Sequence, residues 1–248
     1  MKNYLSFGGG VNSVALHLYL LNEGWDFESV FVNHGTDWPE TYEYLDMFQG
    51  WLKKNGHKPV TVLIPEYSRK KDAATIYGNL YDYAYLYEMV PSFMRRWCSR
   101  LFKVDTVNGY VERPCFMLLG FDAGEANRAE YSCEKGIENR FPLLEAEMSR
   151  NDCKEYIKLK GLPVPQKSGC FICPYQSVYQ WKELRYRHPD LFCKAEQLEK
   201  RNMEYRKRKG KTPLFLNQYP KATLRSVVDE DQIKIFKQDE YPPCHCML

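Results

Sequence analysis

Two cysteines stand three apart in Lys167-Ser-Gly-Cys170-Phe-Ile-Cys173-Pro174-Tyr175-Gln176. A Cys-x-x-Cys turn puts both sulfurs on one side of a short loop, the spacing that a tetrahedral zinc or an iron–sulfur cube needs. A redox dithiol shares that spacing, but this pair does not open a helix in a thioredoxin-like βαβ unit. A further thiol, Cys98, lies among Arg95, Arg96, Arg100 and Lys103. Cations close in space would lower its pKa and favour the thiolate that nucleophiles and metal ligands require, while a solvated basic helix end is the plainer reading. Near the beginning, Gly8, Gly9, Gly10, Asn12 and Ser13 follow a short apolar run and open an apolar pattern of helical spacing. Glycines let several N–H groups converge on an anion, and the helix N-terminus adds favourable partial charge, with Ser13 as a hydroxyl donor. A tight strand-to-helix turn needs glycine for geometry alone, so the loop by itself leaves both readings open.

The elements that must position these residues read as follows. The apolar run before Gly8 is a strand, and Glu28-Ser-Val-Phe-Val-Asn33 is a second one, ending in a polar turn before a helix from Pro39 to Trp51. Two strands that each end in a glycine-containing turn before a helix imply a parallel sheet with ligand groups at its carboxyl edge. Residues 58–64 and the run from Cys115 to Leu119, followed by Gly120, are further strands. Residues 65–90 form a polar insertion or lid in which Tyr77, Tyr81, Tyr83, Tyr85 and Tyr87 are read as packing. A helix from Asp152 takes Ser149 as its N-cap, and the pattern over residues 178–211 is helical. The expected fold class is α/β, a Rossmann-like parallel sheet with helices on both faces, joined to a C-terminal helical region that carries cysteines. Residues 1–165 would form the nucleotide-binding domain, and residues 166–248 the Cys-x-x-Cys and helical region packed on it.

Composition narrows the class further. Nine cysteines with no export signal point to metal, cluster or thiol chemistry rather than a disulfide framework. Cys115, Cys153 and Cys193 fall in strand-like or helical patterns and are expected to be buried core thiols. A net charge of +3 is too small to argue for nucleic acid by itself. The basic run from Arg201 to Lys211 is the best candidate for contact with a nucleic-acid acceptor, against the commoner meaning of a solvated helix end. No apolar run would span a bilayer, so the expectation is a cytoplasmic protein without membrane contact, with an oligomer left open.

Leu5-Ser6-Phe7-Gly8-Gly9-Gly10-Val11-Asn12-Ser13 resembles the PP-loop, usually Ser-Gly-Gly-x-Asp-Ser, of the adenine nucleotide alpha hydrolase superfamily. Phe31-Val-Asn33-His34-Gly35-Thr36-Asp37-Trp38-Pro39-Glu40-Thr41 is similar to a segment of the phosphoadenosine phosphosulfate (PAPS) reductase branch. Two residues depart from the motif: Gly8 stands for its serine and Asn12 for its aspartate. The resemblance implies an adenine nucleotide, ATP or a relative, with Mg as an optional companion, held by Ser6, Phe7, Gly8, Gly9, Gly10, Asn12, Ser13, Asn33, Thr36 and Gly120. It also implies that Glu125 and Arg128, after a central strand, approach the nucleotide or its acceptor; surface ion pairing is the competing account. The segment around Cys98 and Lys103 is similar to the cysteine-containing stretch of the PAPS and adenylylsulfate reductases.

Cys98, Cys170 and Cys173 occupy places that resemble cluster-binding segments of those reductases and of PP-loop tRNA thiolases. Three thiolates would hold a [4Fe-4S] cluster with one iron open, or Cys244 or Cys246 would close the site; zinc is the alternative. The leading expectation is ATP-dependent sulfur transfer. An acceptor carbonyl oxygen attacks the α-phosphate, pyrophosphate leaves, and sulfide from a cluster or persulfide donor displaces AMP. Lys103 or Arg128 neutralises charge in the transition state. One rival is a sulfonucleotide reductase in which Cys244 or Cys246 attacks the substrate sulfur and an external thiol resolves the intermediate. Another is a nucleotide-binding module with structural zinc.

Overall fold

The computed structural model describes residues 1–67, 78–92, 96–129, 134–166, 168–217 and 222–229. Five strands form one wholly parallel sheet: β1 (Lys2–Ser6), β2 (Glu28–Val32), β3 (Thr61–Leu63), β4 (Cys115–Leu118) and β5 (Ile137–Arg140). Their order is β3-β2-β1-β4-β5. The chain builds outward from β1 through β2 to β3, then returns to β1's other side for β4 and β5. The reversal therefore falls between β1 and β4, where an open parallel sheet leaves a crevice at its carboxyl edge.

Helices cover both faces, as the sequence led us to expect. On one face lie α1 (Val11–Asn22), α2 (Pro39–Lys54) and α7 (Arg150–Leu159), sharing a core with Leu5 and Phe31 of the sheet. α1 is apolar nearly all round because it is enclosed on several sides: Val14, Ala15, Leu16 and Leu20 are fully buried. On the other face α5 (Asp105–Tyr110) packs Val107 against Tyr4, Val30 and Met117.

A second core gathers the C-terminal helices α8 (Val178–Arg187), α9 (Pro189–Arg208) and α10 (Leu224–Asp229). It also takes in Trp38, Phe102 and α3 (Leu80–Leu86), so the C-terminal region is packed around residues from the first half of the chain. Phe102 belongs to a π-helical turn (Arg100–Val104) between the short α4 (Trp97–Ser99) and α5. α6 (Pro142–Glu145) completes the helices.

Several elements differ from expectation for local reasons. The helical pattern over residues 178–211 is two helices, because Pro189 lacks the N–H that would extend α8 and instead occupies the first turn of α9. β5 escaped notice because only Ile137 of its four residues is buried, so it carries no alternation to read. β3 is shorter than residues 58–64, pairing only with β2 at the sheet's edge. Cys193 is exposed on α9 rather than buried, whereas Cys115 and Cys153 are core thiols as expected. Ser149 caps α7, with a reciprocal bond from Asp152. Among the described residues no helix is long and apolar enough to cross a membrane.

Candidate functional site

The glycine loop leaves β1 and enters α1 at the crevice. Gly9 has φ +69°, and a Cβ there would stand 3.1 Å from the Thr41 methyl. At Gly10 a Cβ would stand 2.7 Å from Ser168 Oγ. The turn is therefore closed to side chains from both sides. α1 has no side-chain cap, unlike α3, α7 and α8, so its first N–H groups face the crevice unscreened by a capping side chain. The anion cradle expected at Gly8, Gly9 and Gly10 would lie here.

The other residues expected to hold nucleotide are placed as scaffolding around this cradle. Ser13 donates its hydroxyl to Gly10 O at 3.0 Å. The Phe7 N–H bonds Val30 O at 2.9 Å and its ring stacks on Phe48, while Ser6 ends β1 half-buried. Asn33 Oδ1 accepts the Gly35 N–H at 3.0 Å and shapes the turn after β2. Gly120 lies against the start of α1, where a Cβ would come 3.1 Å from Asn12 C and O and from Ser13 N.

Asn12 joins that helix start to the loop after β4. Its Nδ2 donates to Asp122 Oδ2 and to Glu125 Oε2, each at 2.9 Å, and its Oδ1 accepts from Arg150 at 3.4 Å. Asp122 caps the 3₁₀ turn Ala123–Arg128, with a reciprocal bond from Glu125. Glu125 pairs with Arg128, whose guanidinium lies over the Phe121 ring at 4.8 Å. Both members of this pair are largely buried, so the surface-pair account does not describe them. They reach the crevice through Asn12.

The Cys-x-x-Cys loop closes over the same edge. Asp37 and Cys170 form an antiparallel bridge; Trp38 N–H bonds Gly169 O at 3.0 Å and Phe171 N–H bonds Thr36 O at 2.8 Å. Cys98, Cys170 and Cys173 line one pocket, partly open to solvent, with Arg96, Lys103 and His34. The sequence expectation named these three thiols and Lys103 from separate stretches, and the fold brings them together. Of the four cations around Cys98, Arg96 and Lys103 line the pocket, whereas Arg100 pairs with Asp105 and Glu134. Arg95, Cys244 and Cys246 lie outside the described residues.

Thr36 serves the thiol. Cys170 donates its S–H to Thr36 Oγ1 at 3.0 Å, and the threonine hydroxyl lies 2.7 Å from His34 Nδ1. The direction of that bond follows the imidazole tautomer, and His34 Nε2 stands 3.5 Å from Asp37 Oδ2. Burial pushes the Cys170 thiol far above its ordinary pKa; the Thr36 hydrogen bond opposes this, and Asp37 and the nearby Cys98 reinforce it. Burial also raises Tyr42, whose hydroxyl accepts the Asp37 N–H at 3.2 Å. A protonated, buried Cys170 is the form expected before anything cationic enters the pocket.

The donor set tests which metal group would fit. Three sulfurs with two cations suit a soft, polynuclear, anionic iron–sulfur group. Among the described residues no three His, Cys, Asp or Glu side chains converge as a ready site for a metal ion, iron and zinc alike. Magnesium at position 12 does not fit either, because the Asn12 amide nitrogen stands between the two carboxylates.

The fold and site thus define a parallel α/β protein with a glycine loop at its switch point and a thiol pocket beside it. No family model and no curated protein matches the chain. Among solved structures, the crystal structure of phosphoadenylyl-sulfate (PAPS) reductase from Candida auris, as a phosphate complex, is similar at 14% identity and a TM-score of 0.49, over 68% of this chain and 81% of that one. The U34-tRNA thiolase NcsA from Methanococcus maripaludis, with its [4Fe-4S] cluster, is similar at 17% identity and a TM-score of 0.41, over 82% of this chain and 72% of that one.

His34, Asp37, Asp122, Arg150 and Ser168 were not singled out by sequence. His34, Asp37 and Asp122 lie within motif stretches and could have been flagged there. Arg150 and Ser168 carry no local signal, since their contacts with Asn12 and Gly10 span more than a hundred residues.

Proposed function

We propose that the protein binds ATP at the glycine loop and uses it to activate an acceptor for sulfur transfer from the thiol pocket. The observation that carries this reading is the stitching of the Cys170 loop onto the turn after β2, with Ser168 against Gly10, which puts the Cys-x-x-Cys loop and the glycine loop on one sheet edge. The N–H groups of the loop and of the α1 start bind the phosphates as pyrophosphate leaves. An acceptor carbonyl oxygen forms a bond to the α-phosphorus as the α–β phosphoanhydride breaks. Sulfide then adds to the activated carbon, and AMP departs with the former carbonyl oxygen. Cys98, Cys170 and Cys173 hold a [4Fe-4S] group, which when bound supplies a site for the transferred sulfur. Lys103 and Arg96, beside the thiols, offset the negative charge that sulfide and phosphate bring together.

The test mixes anaerobically purified protein with ATP, sulfide and bulk transfer RNA as acceptor probe. The expected result is release of pyrophosphate and AMP that needs all three, together with ATP binding measured by calorimetry. Sulfite formed from PAPS with a dithiol, without pyrophosphate release, would replace this reading by the reductase. Absence of ATP binding would remove both the loop's assigned role and the reaction.

A further inference from the structure

We infer that Asn12 takes the place of a divalent cation at the switch point, so that the crevice is held together by an amide. The position is unusual in its neighbours. Two carboxylates, Asp122 Oδ2 and Glu125 Oε2, each lie 2.9 Å from one side-chain nitrogen, and that nitrogen belongs to the first turn of α1. Acidic oxygens brought this close need something positive between them, either a cation or a donor with two protons. The Asn12 NH2 has two protons and directs one to each carboxylate. Its orientation is fixed from the other side, because Oδ1 accepts from the Arg150 guanidinium at 3.4 Å and an amide turned over would face two acceptors with an acceptor. Glu125 Oε1 is meanwhile taken by Arg128.

Gly120 sets the spacing. With any side chain there, α1 and the β4 loop would separate, since a Cβ would already crowd Asn12 O. The close approach and the amide therefore belong together. An aspartate at position 12 would bring a third carboxylate to the same point and remove both donors, which is the arrangement a hard, oxygen-seeking ion such as Mg²⁺ requires. The asparagine makes that ion unnecessary. A divalent ion that takes part in the nucleotide chemistry enters on the nucleotide's own phosphates.

The experiment is thermal melting of the full chain without nucleotide, in EDTA and in MgCl2, with NaCl of matched ionic strength as the screening control. It does not depend on sulfur transfer, so its failure and the failure of that reading are separable. Wild-type protein is expected to melt at the same temperature in EDTA and in Mg²⁺. Asn12→Asp is expected to melt several degrees lower in EDTA and to recover most of that loss in Mg²⁺. Asn12→Asp combined with Glu125→Gln returns an amide and one fewer charge to the cluster, and is expected to lose the Mg²⁺ response. If Asn12→Asp does not fold in EDTA, its refolding yield on adding Mg²⁺ is the same readout. A wild-type melt raised by Mg²⁺ and made insensitive by Asp122→Asn would show a cation where the amide is placed. An Asn12→Asp protein indifferent to Mg²⁺ would equally overturn the inference.

Discussion

Cys170 illustrates how one residue's chemistry is set by partners far away in sequence. Its sulfur is buried, bonded to Thr36, and backed through that hydroxyl by His34 and Asp37. His17 shows the opposite outcome for a titratable side chain. It is 2% exposed behind the glycine loop, accepts from Ser29 Oγ at 2.8 Å through Nδ1 or donates to it, and is ringed by Phe7, Phe27 and Phe48. Burial lowers its pKa from 6.5 to about 3. The unfolded chain therefore binds a proton that the native state refuses between those values. The stability that neutral His17 contributes is complete above pH 6.5 and is lost as pH falls toward 3, at up to about 1.4 kcal/mol per pH unit. Replacing His17 by Gln should flatten the acid limb of stability against pH by that amount, measured as urea midpoints from pH 7 to 4. An unchanged slope would show that the imidazole is protonated in the native state.

At the scale of elements, the close approach of β4's end to α1 is the tightest joint in the crevice. Gly120→Ala would put a methyl group 3.1 Å from the backbone of Asn12 and Ser13, atoms that cannot swing aside. The expected cost is about 1–3 kcal/mol in denaturant unfolding, with weaker nucleotide binding as α1 shifts. Gly50→Ala, in the middle of α2 with open space around it, should instead stabilise by about 0.5–1 kcal/mol. Equal effects of the two would mean that the joint is slack. Elements of this kind were legible in part. The β1–loop–α1 unit and the Ser149 cap are local in sequence, and local spacing revealed them. The polar edge strand β5, and bonds such as Asn12 to Asp122 or Cys170 to Thr36, depend on residues more than a hundred positions apart. Nothing in a local window carries them.

For the molecule as a whole, two cores share one functional edge. The sheet and its covering helices hold the glycine loop, and the helices of the C-terminal core carry the Cys-x-x-Cys loop across it. Glu40, at the start of α2, helps hold the two together: its Oε1 meets His188 Nε2 at 2.9 Å and also pairs with Arg187. The basic run at the end of α9 is partly used in the same assembly. Arg201 donates to Tyr85 O at 2.8 Å and Arg208 pairs with Glu88, which leaves mainly lysines of that stretch for any polyanion. On the proposed function, Cys98, Cys170 and Cys173 act as one ligand set beside the glycine loop. Its most direct test is iron, zinc and acid-labile sulfide analysis, with visible absorption, of anaerobically purified wild-type protein and of each Cys→Ala variant. About four irons and four sulfides per chain are expected, lost or sharply reduced on replacing any one of the three. A colourless protein with one tightly held zinc, or iron that survives all three substitutions, would contradict it.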